Sequence, residues 1–309
     1  MKKSMLAHPV VMGLLASLCC LLWGSVVPFL NVGYREFLID SADTATLIVF
    51  AGCRFCMAGA LTIAFASAGK KRFARPKKGN WHLAVKLCLV QTVLQYVFFY
   101  MGVANTPSVK ASIIQGMIAF VSLLTACYLF RSEKMNGMKW LGGFLGVAGI
   151  VLVNLDGSGL SGAVTLRGEG ALFTSMFFNA LSAGLIKRYG RYDDAATLSG
   201  WQFLFGGAVM AVCGYAMGGR LHPQSALAFA VLLYLAMVSA VAYTLWAVLL
   251  NHNPVSSVTA YTCLQPLFGV GLSLLLVPDA SAPLVRYGAA LVLVCASIAV
   301  VGRAQQKKA

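Results

Sequence analysis

The sequence predicts an all-α membrane protein with ten transmembrane helices, arranged as two inverted five-helix repeats with both termini in the cytoplasm. The prediction depends on the composition, on the length of the apolar segments and on an internal repeat. The chain is 59% hydrophobic and 11% charged, whereas a soluble protein has about 25% charged residues. The lipid bilayer must therefore be the solvent for most of the protein surface.

Ten apolar segments are close to the length of about 20 residues that a helix needs to cross the hydrocarbon core. They are continuously apolar rather than alternating, which excludes barrel strands. The first segment is long enough to span and has no small-x-small cleavage site, so we expect a span rather than a cleaved signal peptide. The predicted spans are 10–30, 45–68, 82–102, 107–129, 138–154, 169–187, 195–217, 225–249, 254–277 and 284–302.

The second half of the chain repeats features of the first half. Residues 51–55 correspond to residues 199–203 at a displacement of 148 positions, and Tyr96 corresponds to Tyr243 at a displacement of 147. An odd number of spans in each repeat gives the two repeats opposite orientations in the membrane, as in many transporters. The predicted repeats are residues 1–155 and residues 156–309, with five spans each.

The loop charges predict the orientation. With the N-terminus in the cytoplasm, 17 Lys and Arg residues lie on the cytoplasmic side and four lie on the opposite side. This excess is typical of cytoplasmic loops and supports an even number of spans with both termini inside. The net charge of +15 does not indicate a nucleic-acid partner, because the cations cluster in short loops without interleaved aromatic residues. The expected partners are membrane lipids and a small-molecule substrate.

Polar and aromatic side chains inside the spans predict a substrate pocket. They lie at matching positions on the third and eighth spans and on the fourth and ninth spans, and others lie on the first and sixth spans. Aromatic walls with a few hydrogen-bonding groups are typical of a small-molecule site, although small hydroxyl residues are also common contacts between membrane helices. The predicted substrate-binding residues are Trp23, Tyr96, Phe99, Ser112, Gln115, Asn179, Ser182, Tyr243, Trp246, Thr259 and Thr262.

The charged residues inside the spans are cations only. No Asp or Glu lies deep in a predicted span, which disfavours a lipophilic cation as the substrate. Arg54 lies near the middle of the second span and must meet carbonyls, water or an anionic group of the substrate, so it is a candidate anion contact. We expect Lys86 and Lys110 to extend to a membrane interface.

Other chemistries have little support in the sequence. The nine cysteines all lie in apolar segments, where buried packing is the better interpretation than metal or redox chemistry. The spans have no cluster of His, Asp and Glu, so we expect no metal, no cofactor and no enzymatic activity. Gly142, Gly146 and Gly149 share a face of the fifth span, which predicts either helix packing within the chain or a homodimer contact.

Several short motifs resemble the EamA-type branch of the drug/metabolite transporter superfamily. They are Trp23-Gly24, Arg54-Phe55, Asn105-Thr106-Pro107, and Glu133 before a glycine-rich fifth span. The resemblance covers residues 11–154 and 169–302. It implies a basket in which spans 1, 3, 4, 6, 8 and 9 surround the substrate path, and it implies export of small metabolites, often amino acids. Ala119 departs from the pattern, since many members have a proline there.

With this resemblance, the expected function is a secondary carrier that exports a small metabolite, amino-acid-like or otherwise neutral or zwitterionic, across the bacterial inner membrane by alternating access. Import of such a metabolite is an alternative that topology does not separate from export. A second alternative is a membrane receptor or assembly protein that transports nothing and whose bundle is closed in the middle.

Overall fold

The computed structural model describes residues 8–131, 134–154, 165–253, 258, 260–277 and 284–306. The secondary structure of these residues is helical. The helices are α1 (Pro9–Glu36), α2 (Thr44–Lys70), α3 (segments Trp81–Leu87, Cys88–Leu94 and Gln95–Ala104), α4 (segments Ser108–Gln115, Ile118–Leu124 and Thr125–Leu129), α5 (Gly137–Asn154), α6 (segments Leu166–Gly170 and Ala171–Tyr189), α7 (Ala195–Ala216), α8 (Ala226–His252), α9 (segments Ala260–Cys263 and Leu264–Leu276) and α10 (Leu284–Gln306).

Seven helices in the described residues are long and apolar enough to cross a membrane. Two shorter apolar helices, Gly137–Leu152 and Tyr261–Leu276, accompany them. The helical prediction is therefore confirmed for the described part of the chain, while the count of ten spans and their topology stay predictions. The seven helices are Val10–Glu36, Thr44–Lys70, Trp81–Ala104, Ser108–Leu129, Ala195–Ala216, Ala226–Trp246 and Leu284–Val301.

The first turns of α2 and α7 are capped in the same way. The Asp43 carboxylate accepts hydrogen bonds from the backbone N–H of Thr46 at 3.0 Å and from its hydroxyl at 2.6 Å. Asp194 accepts the same two bonds from Thr197 at 2.8 and 2.7 Å. A carboxylate at this position satisfies an otherwise unpaired N–H and interacts favourably with the helix dipole.

Helices α2 and α7 form the most extensive helix pair, and they pack antiparallel. Residue numbers rise along one helix as the numbers of the facing residues fall along the other. A Cβ on Gly59 would collide with the backbone of Leu204, so glycine is what allows this close approach. The facing pairs are Gly52 with Ala211, Cys56 with Gly207, Gly59 with Leu204, and Ile63 with Gly200.

Helices α5 and α10 form a second close antiparallel pair. Gly142 faces Val301 and Gly149 faces Val294. The glycine face of the fifth predicted span is therefore covered by α10 of the same chain. These glycines therefore give no support to a homodimer contact on α5. A homodimer stays a prediction.

Two names describe the ends of the helix bundle. The inner end is the end where Lys70 of α2 meets Asp194 before α7, with 2.7 Å between Nζ and Oδ2. The outer end is the end where Ser225 before α8 donates to the Glu36 carboxylate of α1 at 2.8 Å. The names follow the orientation that the loop charges predict.

Candidate functional site

Four aromatic rings close a circuit between the two halves of the chain. The hydroxyls of Tyr96 on α3 and Tyr243 on α8 lie 3.3 Å apart. The Phe55 ring lies 4.1 Å from the Tyr96 ring and 5.4 Å from the Phe203 ring, and the Phe203 ring lies 5.3 Å from the Tyr243 ring. Each half therefore contributes one phenylalanine and one tyrosine at corresponding positions.

Three further aromatic residues extend this circuit. The Trp23 ring lies 5.8 Å from the Tyr243 ring and 5.0 Å from the Trp246 ring, in edge-to-face geometry. The Phe99 ring lies 6.0 Å from the Tyr96 ring. The structure thus brings together the five aromatic residues predicted for the site. The central aromatic cluster consists of Trp23, Phe55, Tyr96, Phe99, Phe203, Tyr243 and Trp246.

Burial divides the cluster into two layers. Phe55 and Phe203 are 0% exposed, so they support the other rings from behind. Tyr96 and Phe99 are buried as well, at 7% and 9% exposed, whereas Trp23, Tyr243 and Trp246 are half-buried. Edge-to-face packing fixes these rings without covering them. Phe55 and Phe203 were not among the predicted substrate-binding residues, because that prediction started from polar residues within the spans. Their displacement of 148 positions, which matches the internal repeat, was a usable signal.

Arg54 lies against this cluster and is 2% exposed. Its Nε donates to the carbonyl of Leu235 at 3.1 Å, its Nη1 to the Tyr100 hydroxyl at 2.8 Å and its Nη2 to the Ser239 hydroxyl at 3.0 Å. The guanidinium carbon also lies 5.1 Å from the centre of the Phe55 ring. No carboxylate of the described residues pairs with Arg54. Of the environments expected for Arg54, the structure therefore shows contact with protein oxygen atoms, namely one carbonyl and two hydroxyls. Contact of Arg54 with a substrate stays a prediction.

Gln202 occupies the position on α7 that corresponds to Arg54 on α2. It is 0% exposed, and its Nε2 donates to the Gln91 side chain of α3. The hydroxyl of Thr92 donates to the backbone carbonyl of Gln202 at 3.3 Å. The side-chain Oε1 of Gln202 has no hydrogen-bond partner among the described residues. The two halves therefore carry the same aromatic residues at corresponding positions but differ in charge, because the first half has the cation Arg54 where the second half has the neutral Gln202.

Two other predicted residues make hydrogen bonds to protein groups. The Ser112 hydroxyl of α4 lies 3.3 Å from the Ser273 hydroxyl of α9, which matches the helix-packing alternative. The Ser182 hydroxyl donates to the backbone carbonyl of Asn179 in its own helix at 2.7 Å. Thr262 is half-buried in the first turn of α9, and Thr259 lies outside the described residues.

The polar stripe predicted along a straight fourth span is interrupted. The first segment of α4 ends at Gln115, and the next two residues form a tight turn in which the Gly116 N–H donates to the Ile113 carbonyl and the Met117 N–H donates to the Ile114 carbonyl. The buried Nε2 of Gln115 has no hydrogen-bond partner among the described residues. Glycine is a weak helix former, which favours a break here, and broken helices with free polar groups are typical of transporter substrate sites.

Helix α9 changes its helical type at the corresponding point. Its 3₁₀ turn ends at Cys263 and its α-helical segment begins at Leu264, and this junction lies 147 positions after the break in α4. Pro266 lies in the first turn of the α-helical segment, where its missing N–H removes no ladder hydrogen bond.

Lys110 was expected to extend to a membrane interface, and this expectation is wrong. Its ammonium pairs with the carboxylate of Glu169, and the two side chains are only 13% and 4% exposed. The backbone N–H of Thr165 also donates to Glu169 at 2.9 Å. The Glu169 carboxylate at the start of α6 lies within contact distance of the Lys110 ammonium, so Lys110 is paired without extending to the headgroups. The pair joins the two halves at the outer end.

Side chains of several helices meet at the outer end of the bundle. The first segment of α4 packs there on α9, and the Ser108 hydroxyl lies 2.8 Å from that of Ser273. The later segments of α4 pack on α6. The Tyr34 hydroxyl of α1 donates to the Tyr100 carbonyl of α3 at 3.2 Å, again toward the outer end.

Comparisons with known proteins place this geometry in a family. The family model described as EamA-like transporter family matches residues 11–155 and 166–303. An uncharacterized transporter of Archaeoglobus fulgidus is 27% identical, covering 82% of this chain and 85% of the relative. An uncharacterized transporter of Synechocystis is 27% identical over 93% of this chain and 88% of the relative.

The fold also matches a solved structure. One crystal structure superposes with a TM-score of 0.65 and 16% sequence identity, over 94% of this chain and 95% of that chain. In the part of the chain that the structure describes, no group of three or more His, Cys, Asp or Glu residues could hold a metal ion. The family match extends across both halves, and the relatives from Archaeoglobus fulgidus and Synechocystis are named as transporters. The protein is therefore a membrane transporter and belongs to the EamA-like transporter family.

Proposed function

We propose that the protein is a secondary carrier that exports a small neutral or zwitterionic metabolite across the bacterial inner membrane by alternating access. One observation carries the proposal. The rings of Tyr96 and Tyr243 meet at the boundary between the two halves of the chain, beside the half-buried Trp23 and Trp246. In transporters built from two repeats, the substrate site lies at the boundary between the repeats.

The charges near the cluster favour this substrate class. Arg54 supplies a positive charge beside the rings, and the carboxylates of the described residues lie at helix ends. A cationic metabolite would therefore meet a like charge and no counter-charge, which is costly in a medium of low dielectric. A neutral or zwitterionic molecule can place its apolar part on Trp23 and Trp246 and its polar groups toward the tyrosine hydroxyls.

A contact between the two repeats at the outer end supports alternating access. Ser108 of α4 and Ser273 of α9 meet there. Inverted repeats allow an opposite arrangement, in which the outer contact opens and an inner contact forms. The same central cluster would then face each side of the membrane in turn.

The test begins with purified protein. Thermal unfolding is measured against amino acids, nucleobases and sugars, and compounds that stabilise the protein are then used for counterflow in proteoliposomes. We expect Trp246→Ala to abolish both stabilisation and counterflow because it removes one wall of the cluster. Phe144→Ala is the control, since Phe144 is 66% exposed on α5 and lies outside the cluster.

Direction is tested separately in cells. We expect overexpression to lower the cytoplasmic concentration of the identified compound, and we expect Trp246→Ala to restore that concentration. A higher cytoplasmic concentration would mean import instead of export. Counterflow that is equal in wild type and Trp246→Ala would refute the assignment of the cluster as the substrate site.

A further inference from the structure

We propose that a cleft at the inner end, between α3 and α6, binds the phosphodiester headgroup of an anionic phospholipid. The cleft has a volume of about 360 Å³. It lies outside the central aromatic cluster. Its lining residues are Asn80, His82, Leu83, Lys86, Arg188, Tyr189 and Tyr192.

The cleft carries two cations and one carboxylate at its edge. Lys86 and Arg188 are exposed, and neither takes part in an ion pair among the described residues. The Asp193 carboxylate accepts from the Lys77 N–H at 2.8 Å and from the side chain of Asn80, which lines the cleft, at 3.2 Å. Asp194 pairs with Lys70. The two cations therefore attract an anionic ligand.

The apolar surface next to each cation indicates that this ligand is a lipid. On α3, Val85 is 54% exposed and Leu89, one turn beyond Lys86 toward the membrane interior, is 55% exposed. On α6, Phe177 lies on the same helix face as Arg188, three turns deeper, and is 44% exposed. Lys86 thus ends a short stripe of exposed apolar residues, and one exposed ring lies deeper on the helix face of Arg188. A soluble anion would use the cations alone, whereas a phospholipid also covers these apolar side chains with its acyl chains.

The chemistry of the lining residues fits a phosphodiester. Arg188 offers a planar set of donors that matches phosphate oxygens, and Lys86 adds a point charge. His82 lies one turn before Lys86 and faces the same cleft. Basic pockets between membrane helices on the cytoplasmic side are suited to anionic headgroups. The proposal needs the predicted orientation of the chain, but it does not depend on the substrate or on the direction of transport.

The experiment measures lipid binding to the full-length protein in a neutral detergent. Phosphatidylglycerol is titrated while thermal unfolding and the number of bound lipids, counted by native mass spectrometry, are followed. We expect phosphatidylglycerol to stabilise the protein and phosphatidylcholine to have little effect. The double variant Lys86→Gln/Arg188→Gln should weaken phosphatidylglycerol binding by about tenfold or more, because two cations are lost.

The matched control is Arg72→Gln/Arg131→Gln, which removes two exposed cations outside the cleft. It has the same net charge as the cleft variant and should keep wild-type lipid binding. An equal loss in both variants would show diffuse attraction to charge and would overturn the proposal. Equal stabilisation by inorganic phosphate would show a site for a soluble anion and would also overturn it. Both variants change exposed residues, so their unfolding temperatures without lipid check that they fold.

Discussion

The hydroxyls of Tyr96 and Tyr243 lie 3.3 Å apart, although 147 residues separate them in the chain. The two tyrosines occupy corresponding positions in the two halves, so the contact joins each half to the other at the same point. The rings of Phe55 and Phe203 fix the tyrosines from the side of α2 and α7. A change in the relative position of the halves must therefore change this contact.

The tyrosine contact predicts an energetic coupling between the two positions. We expect Tyr96→Phe and Tyr243→Phe each to lower the free energy of unfolding by about 0.5–1.5 kcal/mol, the usual net value of one hydrogen bond. The double variant should lose less than the sum of the two, because both remove the same contact. Chemical unfolding in mixed micelles measures this. As a control, Tyr96→Phe and Tyr234→Phe should be additive, since Tyr234 bonds Ser25 instead.

Arg54 predicts a difference between two otherwise similar substitutions. Tyr100→Phe leaves one donor of a buried guanidinium without its partner, which should cost about 1.5–3 kcal/mol. Tyr34→Phe removes a bond from a hydroxyl to a neutral carbonyl and should cost about 0.5–1.5 kcal/mol. Both tyrosines are buried, so unfolding free energies of the two variants compare directly. Equal losses would mean that the charge of Arg54 adds nothing to the bond.

The close approach of α2 and α7 predicts a strong effect of one methyl group. In Gly59→Ala the new Cβ would collide with the backbone of Leu204, so we expect a loss of several kcal/mol or failure to accumulate as folded protein. Gly271→Ala in α9 is the control, because no atom lies within 4 Å of its added Cβ. Helix propensity should make that variant neutral or slightly more stable. Folded yield and unfolding temperature measure both.

The apolar segments were sufficient to predict the helices of the described residues. Span length follows from membrane thickness, so each predicted segment contains a helix of the structure. The repeat indicated that Tyr96 and Tyr243 correspond, and the structure brings their hydroxyls together. Substrate binding at these residues stays a prediction.

The contacts between distant helices were beyond sequence reasoning. Lys110 and Glu169 are 59 positions apart, and the position of α6 beside α4 depends on packing rather than on local pattern. The predicted stripe on α4 assumed a straight helix, but the break at Gly116 and Met117 rotates the residues that follow. Ser112 and Ser182 show the same limit, since a serine on an interior face serves packing as readily as binding.

The Asp194 cap predicts a pH dependence at the inner end. Partial burial alone would raise the pKa of Asp194, but hydrogen bonds from Lys70 and Thr197 hold this pKa below its ordinary value of 3.8. A lowered folded-state pKa contributes stability above the ordinary value, and this contribution is lost as the pH falls through the folded-state pKa. Asp194→Asn, which keeps the cap acceptor, should therefore lose less stability than wild type on acidification.

The expected difference is small, because the Asp194 side chain is 43% exposed and solvent screening keeps such pairs below about 1 kcal/mol. Unfolding is measured from about pH 6 down to about pH 3, a range that includes the ordinary carboxylate pKa. Parallel curves for wild type and Asp194→Asn over this range would contradict the assignment. Thr197→Ala provides a control that removes one hydrogen bond to the carboxylate and keeps the Lys70 pair.

Charge reversal of the Lys110–Glu169 pair tests whether this pair holds the helices together at the outer end. Lys110→Glu places two carboxylates together in a buried contact, so the outer ends of α4 and α6 should separate. The double variant Lys110→Glu/Glu169→Lys restores opposite charges and should restore the closure. In a cysteine-free background that carries Ser273→Cys, we expect an impermeant thiol reagent to label the single reversal faster than the wild-type pair, and we expect the double reversal to be protected again.

Position 273 is suited to this measurement because Ser273 is 0% exposed and contacts Ser108 at the closed end. Lys86→Glu is the matched control, since it reverses a cation at the inner end and should leave labelling at position 273 unchanged. Equal labelling of wild type and Lys110→Glu would mean that the pair does not hold the outer end. Labelling of the double reversal at the rate of the single reversal would mean that packing, rather than charge, closes it. Restored protection together with restored counterflow would assign the pair to the outer gate of the carrier.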